Sequence, residues 1–274
     1  MKTNAYIDSI IKQRTAREKR LLTNPRNWFS LIGLFLLDEG DNTVGGTQEG
    51  SIEIPGLPGG LTAILRINHG QVSLVECTPD LMLNGKPTVL RILGTDLDEV
   101  TDILSIGDIH IIILKRGESF FLRAWDLQAP AARNFSGLNY FPVDPAWRTN
   151  ALFTTFQQPQ LLPVEDMVGT RYESKFIGRA TFNIHGASCS LIAEEDDEEL
   201  LFSFTDLTKT DSSYAGGRFI TTAMPVNNEV VLDFNLAKNW PCAYTSHATC
   251  PLPPFENHLK VRIEAGEKRY TTHH

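Results

Sequence analysis

No long apolar run occurs in this chain, and that absence settles several questions. The longest is Leu31–Leu37, interrupted by Gly33, whereas a membrane-crossing helix takes roughly 20 apolar residues. The run also follows too long a charged segment to be a secretory leader. Cysteine is scarce: Cys77, Cys189, Cys242 and Cys250 are the only four in 274 residues, which does not suggest a disulfide scaffold. A cytoplasmic protein is therefore expected. Excess positive charge is missing too, since the net charge of −8 argues against wholesale nucleic-acid binding. Neither phosphate-loop pattern, G-x-x-x-x-G-K-S/T or G-x-G-x-x-G, is present. What remains, at 42% hydrophobic and 21% charged, is the composition of a soluble globular protein with ample material for a core.

Helical periodicity is nearly confined to residues 4–22. Asn4 can cap that helix, Tyr6, Ile7, Ile10 and Ile11 share a face, and Pro25 stops it. Residues 1–26 carry seven basic side chains against Asp8 and Glu18, a balance of +5 that leaves −13 for the remainder. A solvated helix face accounts for these charges. The alternatives are an acidic protein partner or the chain's own acidic body.

The rest reads as short β-branched and aromatic runs between Gly, Pro, Asn and Asp. They include Thr62–Ile67, Val72–Val75, Ile109–Lys115, Phe120–Trp125, Tyr172–Ile177, Ala180–Ile184, Ser188–Ala193, Leu200–Phe204, Val230–Phe234 and Leu259–Ile263. Several alternate apolar with polar, which predicts antiparallel strands with one buried face. The fold class is mainly β: an N-terminal helix followed by two antiparallel β-rich units, each a sandwich or barrel. The expected divisions are a helical arm at 1–27, a sandwich-like unit at 28–126, an ordered connector at 127–148 and a second β-rich unit at 149–274.

Candidate chemistry gathers in the second half. Asp144-Pro145 is good chemistry for capping a short helix, with Arg148 and Arg133 nearby in sequence as possible partners of the carboxylate. Asp206 and Thr208 can each close a side-chain turn. Gly216-Gly217-Arg218 could seat an anion on backbone N–H groups beside a guanidinium. A strand over Val230–Phe234 would deliver Asp233 and Asn235 to one side, where they either brace the Asn239–Pro254 loop or face a pocket. Cys242, His247, Cys250 and His258 could together hold a structural zinc, although their spacing fits no standard finger. The acidic run Glu194–Glu199 suits a solvated hairpin tip.

Four blocks carry a family resemblance: WFSLIGLFLLDEGDNTVGG, GLNYFPVDPAWR, FSFTDLTKTDSSYAGGRF and the long run from Glu229 to Lys268. Together they resemble domain-of-unknown-function family 1684. The resemblance implies no activity. It marks as family positions Arg133, Asp144, Arg148, Asp206, Thr208, Tyr214, Arg218, Asp233, Asn235, Asn239, Cys242, Cys250, Asn257 and Glu267, and leaves out His247 and His258. A fainter likeness joins Leu83–Pro87 and Ile106-Gly107-Asp108 to the end of a forkhead-associated sandwich. The early loop Val44-Gly45-Gly46 lacks the arginine with which such modules read phosphothreonine, so only the shape is implied.

Two functions fit these readings. One is a small-molecule site for an anionic or polar metabolite, in a binding protein or hydrolase with its pocket in the C-terminal unit. Asp206 or Asp233 would be its general base, and Arg133, Asp144, Arg148, Tyr214, Arg218, Asn235, Asn239 and Asn257 its ligand-binding residues. The other is a non-catalytic interaction module that uses the β-units and the basic helix. No cofactor is expected.

Overall fold

The computed structural model describes residues 2–45 and 52–271; the side chains of Lys2, Thr3, Ala131 and Arg133 lie outside the description, as does Gly46 of the early loop. One long helix opens the chain, α1 (Lys2–Thr23). It begins two residues before Asn4, so Asn4 sits in its first turn and does not cap it. It ends ahead of Pro25, whose ring would clash with a preceding helical residue. Everything after it is mainly β, in antiparallel sheets. The residues divide into two compact units, Met1–Arg20 with Ser136–His274, and Leu21–Phe135.

The Leu21–Phe135 unit holds β1 (Leu31–Leu37), β2 (Gly40–Val44), β3 (Ala63–Asn68), β4 (Gln71–Cys77), β5 (Met82–Leu83), β6 (Lys86–Pro87), β7 (Leu104–Ile106), β8 (Ile109–Arg116), β9 (Ser119–Asp126) and the short α2 (Pro130–Arg133). A six-stranded sheet runs β1-β9-β8-β7-β5-β6, and a three-stranded sheet runs β2-β3-β4. One core joins them: Leu65, Val72 and Leu74 from the smaller sheet pack with Ile111, Ile113 and Leu122 from the larger. Ile112, Leu114 and Phe121 point the other way and form a second cluster with Leu31 and Trp125. Strands β8 and β9 are thus buried on both faces, which is why they read as continuous apolar runs.

The other unit contains β10 (Arg148–Glu165), β11 (Arg171–Ile184), β12 (Ala187–Asp196), β13 (Glu199–Phe204), β14 (Arg218–Ala223), β15 (Glu229–Asp233) and β16 (Lys238–Asn239). They form one antiparallel sheet, ordered β15-β10-β11-β12-β13-β14-β16, that does not close into a barrel. The acidic run forms the β12–β13 turn, with Asp197 and Glu198 at φ of 44° and 65°. Phe182, Phe202, Phe204 and Phe234 fill the core, with Phe234 edge-on to Phe204 at 5.4 Å.

Three of the expected strands also differ. The runs at Tyr172–Ile177 and Ala180–Ile184 are one strand, β11, whose register against β10 and β12 shifts near Gly178. A Cβ at Gly178 would lie 2.4 Å from the Phe153 ring. The strand at Val230–Phe234 ends at Asp233, and Asn235 falls in a 3₁₀ turn over Phe234–Leu236. Leu259–Ile263 is not a strand. Its first half pairs with the backbone just after β13, where Leu259 N–H donates to the Thr205 carbonyl at 2.8 Å and the Val261 carbonyl accepts from Leu207 N–H at 3.0 Å. Its end is held by side chains: Ile263 N–H donates to Asp206 at 3.0 Å, and Ile263 C=O accepts from Arg218 at 2.9 Å.

Candidate functional site

Tyr6, Ile10, Arg14 and Arg17 recur at spacings of three and four, so they share one face of α1. That face docks on the C-terminal sheet. Ile10 is buried, and the polar residues around it each find a partner. The Tyr6 hydroxyl lies 2.8 and 2.9 Å from the two Asp233 oxygens and accepts from Asn235 Nδ2 at 3.0 Å. Burial, reinforced by Asp233, pushes the Tyr6 phenol above its ordinary range. Arg14 donates to the carbonyls of Phe141 at 2.9 Å and Asn235 at 3.0 Å. Arg17 Nε donates to the buried Glu267 carboxylate. Burial opposes the Arg17 cation, but Glu267 outweighs it and raises its pKa.

Glu267 is held from several sides. Besides Arg17 it accepts the Asn239 N–H at 2.8 Å and the Tyr244 hydroxyl at 2.6 Å. Tyr244 also accepts from Arg17 at 3.0 Å. The preceding Gly266, at φ +75°, lets the chain pass where a Cβ would meet the Ala237 carbonyl at 2.6 Å.

Between α1 and the sheet lies a cleft of about 260 Å³. Arg14, Arg17, Arg20 and Lys238 line it, opposed by Glu199 and Glu267. Since Glu267 is taken by Arg17, the balance is positive. Lys238 has its pKa lowered by burial and by the neighbouring Arg17 and Arg20 cations. Two buried polar atoms bordering the cleft, Arg14 Nε and the Tyr140 hydroxyl, have no hydrogen-bond partner among the described residues. The Arg14 guanidinium sits 4.5 Å above the Tyr140 ring. A second cleft of about 250 Å³ continues along α1, sharing Gln13, Thr221 and Leu236 and reaching Tyr6, Arg148 and Asp233.

The residues singled out from the sequence fall into distinct places. Asp233, Asn235 and Arg148 stand together under Tyr6. Asp233 and Asn235 do brace the structure, but against α1 and the connector: Asn235 exchanges hydrogen bonds with the Asp144 backbone at 2.8 and 3.1 Å. Asp144 caps the 3₁₀ turn at Pro145–Trp147 by accepting the Ala146 N–H at 2.9 Å. The Arg133 side chain lies outside the description.

Asp206 and Arg218 are inside the protein, 3% and 1% exposed, and paired at 2.7 Å. Asp206 also accepts from Thr208 and Ile263, while Arg218 donates to the carbonyls of Ile263, Ala265 and Glu267. The expected anion seat at Gly216-Gly217-Arg218 is therefore absent, because backbone carbonyls and Asp206 already occupy the guanidinium. Asn257, fully buried, clips Ile192 of β12 to Ser203 of β13 where those strands part. Asn239 donates to the Lys268 carbonyl at 2.7 Å. Tyr214 is half-buried beside Cys242 and Cys250, and burial with those neighbours pushes its phenol up to about 12.

Cys242 and Cys250 lie together, but His247 and His258 do not join them. Among the described residues no group of three or more His, Cys, Asp or Glu could hold a metal ion. His258 instead packs on Phe255 at 5.7 Å.

Sequence reasoning missed Arg14, Arg17, Arg20, Lys238 and Tyr140. The available signals were the basic excess of the helix and the heptad-like recurrence of Tyr6, Ile10, Arg14 and Arg17.

The fold and cleft define a mainly β protein with a helix docked on an open antiparallel sheet. The chain belongs to the family described as protein of unknown function DUF1684, whose profile matches residues 133–268. Arg14, Arg17 and Arg20 lie outside that span. A solution structure of an uncharacterized protein from Haloarcula marismortui is 30% identical, over 50% of this chain and 79% of that one, with a TM-score of 0.42. No curated protein matches.

Proposed function

We propose that the cleft between α1 and the C-terminal sheet binds a small anion, such as a phosphate or short carboxylate metabolite. The observation that carries this reading is the uncompensated cation cluster. Arg20 and Lys238 have no carboxylate partner among the described residues, in a chain whose net charge is −8. Crowded, partly desolvated cations lower one another's pKa, and a bound anion relieves that repulsion. The volume of about 260 Å³ lies below the roughly 300–1,000 Å³ range of drug-sized sites, which favours an ion or short metabolite over a nucleotide. Tyr140 and Arg14 would supply the unused donors. Asp206 remains a scaffold residue, and Asp233 a brace for Tyr6.

Calorimetric titration of the whole chain with inorganic phosphate and with malonate tests this. Binding should weaken about tenfold in Lys238→Met and in Arg20→Gln, one charge-assisted contact each. Absence of binding by every small anion, or equal binding in both variants, would overturn the reading.

A further inference from the structure

The loop after β16 brings two thiols into an unusual mutual arrangement. The Cys242 N–H donates to Cys250 Sγ at 3.2 Å, and the Cys250 N–H donates back to Cys242 Sγ at 3.3 Å. Two reciprocal bonds between residues eight apart close a small ring and fix each sulfur against the other residue's backbone. The Cys242 thiol also donates to the Ala248 carbonyl at 3.2 Å. Stiff neighbours hold the ends: Pro241 precedes Cys242, Pro251 follows Cys250, and the Cys250 carbonyl accepts from Met167 N–H at 3.0 Å. Cys250 is buried and Cys242 only partly so, which gives one sulfur that a reagent can reach and one that can follow it.

We propose that Cys242 and Cys250 are a reversible disulfide site, oxidised by exchange with a low-molecular-weight disulfide of the glutathione type. The Cys242 thiolate attacks one sulfur of the reagent, forming a mixed disulfide and releasing one thiolate. The Cys250 thiolate then attacks Cys242 Sγ and releases the second. Two electrons pass from the cysteine pair to the reagent, and the two thiol protons go to its departing thiolates. Each sulfur faces a backbone N–H that can steady its thiolate during exchange. Among the described residues no other cysteine's backbone bonds to Cys77 or Cys189, and burial holds both thiols above their ordinary pKa.

The consequence reaches Tyr244, which lies between the two cysteines in sequence and bonds to Glu267. A covalent loop from Cys242 to Cys250 would restrict the backbone that carries it.

The test incubates the full chain with oxidised glutathione, quenches with acid, alkylates and maps the peptides. The expected product links Cys242 to Cys250, retains no glutathione on either residue and reverts with dithiothreitol. In Cys250→Ser, the same treatment should leave a glutathione adduct on Cys242. Amide exchange across residues 242–250 should slow about tenfold on oxidation of the wild-type protein. Three results would overturn the proposal: a stable adduct on wild-type Cys242, oxidation confined to Cys77 or Cys189, or unmodified thiols throughout. Unchanged amide exchange in the linked protein would overturn the restriction of the loop. If Cys250→Ser does not fold, the wild-type peptide map decides alone.

Discussion

Arg17 and Glu267, 250 residues apart in sequence, meet as an ion pair with Glu267 1% exposed and Arg17 17% exposed. Arg17 can turn part of its charge to water when the partner is lost, but Glu267 cannot. Arg17→Met should therefore be the costlier change, at about 3 kcal/mol, because it strands a buried carboxylate. Glu267→Gln should cost less, since Tyr244 and Asn239 can still bond the amide oxygen. Urea unfolding of both variants checks the order. A loss below about 1 kcal/mol for each would mean that the pair does not hold α1.

Lys238 gives the cleft a pH dependence of opposite sign in stability and in binding. Burial and the nearby arginines lower its pKa, so between that value and the ordinary lysine range the unfolded chain binds more protons. Stability from this group should rise with pH across that window. Phosphate affinity should fall across the same window as the ammonium is lost. Lys238→Met should flatten both trends. Calorimetry and chemical unfolding at several alkaline pH values follow the two quantities separately.

Asp206 and Arg218 form a pair that single substitution should damage severely. Asp206→Asn or Arg218→Met leaves an uncompensated interior charge, with an expected loss of about 3–5 kcal/mol. The double variant Asp206→Asn with Arg218→Met should recover part of it. Additive losses in a double-mutant cycle would show that the two charges do not support each other.

Tyr6→Phe removes one hydroxyl that bridges α1 to Asp233 and Asn235. Hydrogen bonds to charged groups are worth about 2 kcal/mol, and that is the expected destabilisation. Hydrogen exchange should quicken over the first turns of α1 before it changes in the sheet. Uniform quickening across the unit would count against a local brace.

Strand alternation made most of the β architecture legible, because one-sided burial writes its period into the sequence. The Asp144-Pro145 cap was legible for a similar reason: both its partners are local. Leu259–Ile263 misled because it has the composition of a strand while its backbone is satisfied piecemeal by Thr205, Leu207 and the side chains of Asp206 and Arg218, residues more than 40 positions away. The cleft was hidden differently. Arg14 and Arg17 look like a solvated helix face until Asn235 and Glu267, both more than 200 residues downstream, give that face somewhere to dock. Gly216-Gly217-Arg218 showed the reverse error, a local anion motif whose guanidinium is spent on the interior.

The division of the chain sets an order of events during synthesis. The first helix belongs with Ser136–His274, while Leu21–Phe135 forms a unit of its own between them. At roughly 5–20 residues per second, Arg17 leaves the ribosome on the order of tens of seconds before Glu267 is made. The intervening unit can complete its core in that interval. The helix, translated before the residues it docks on, must wait for them to find its place, and until then its apolar stripe around Ile10 is open to chaperones.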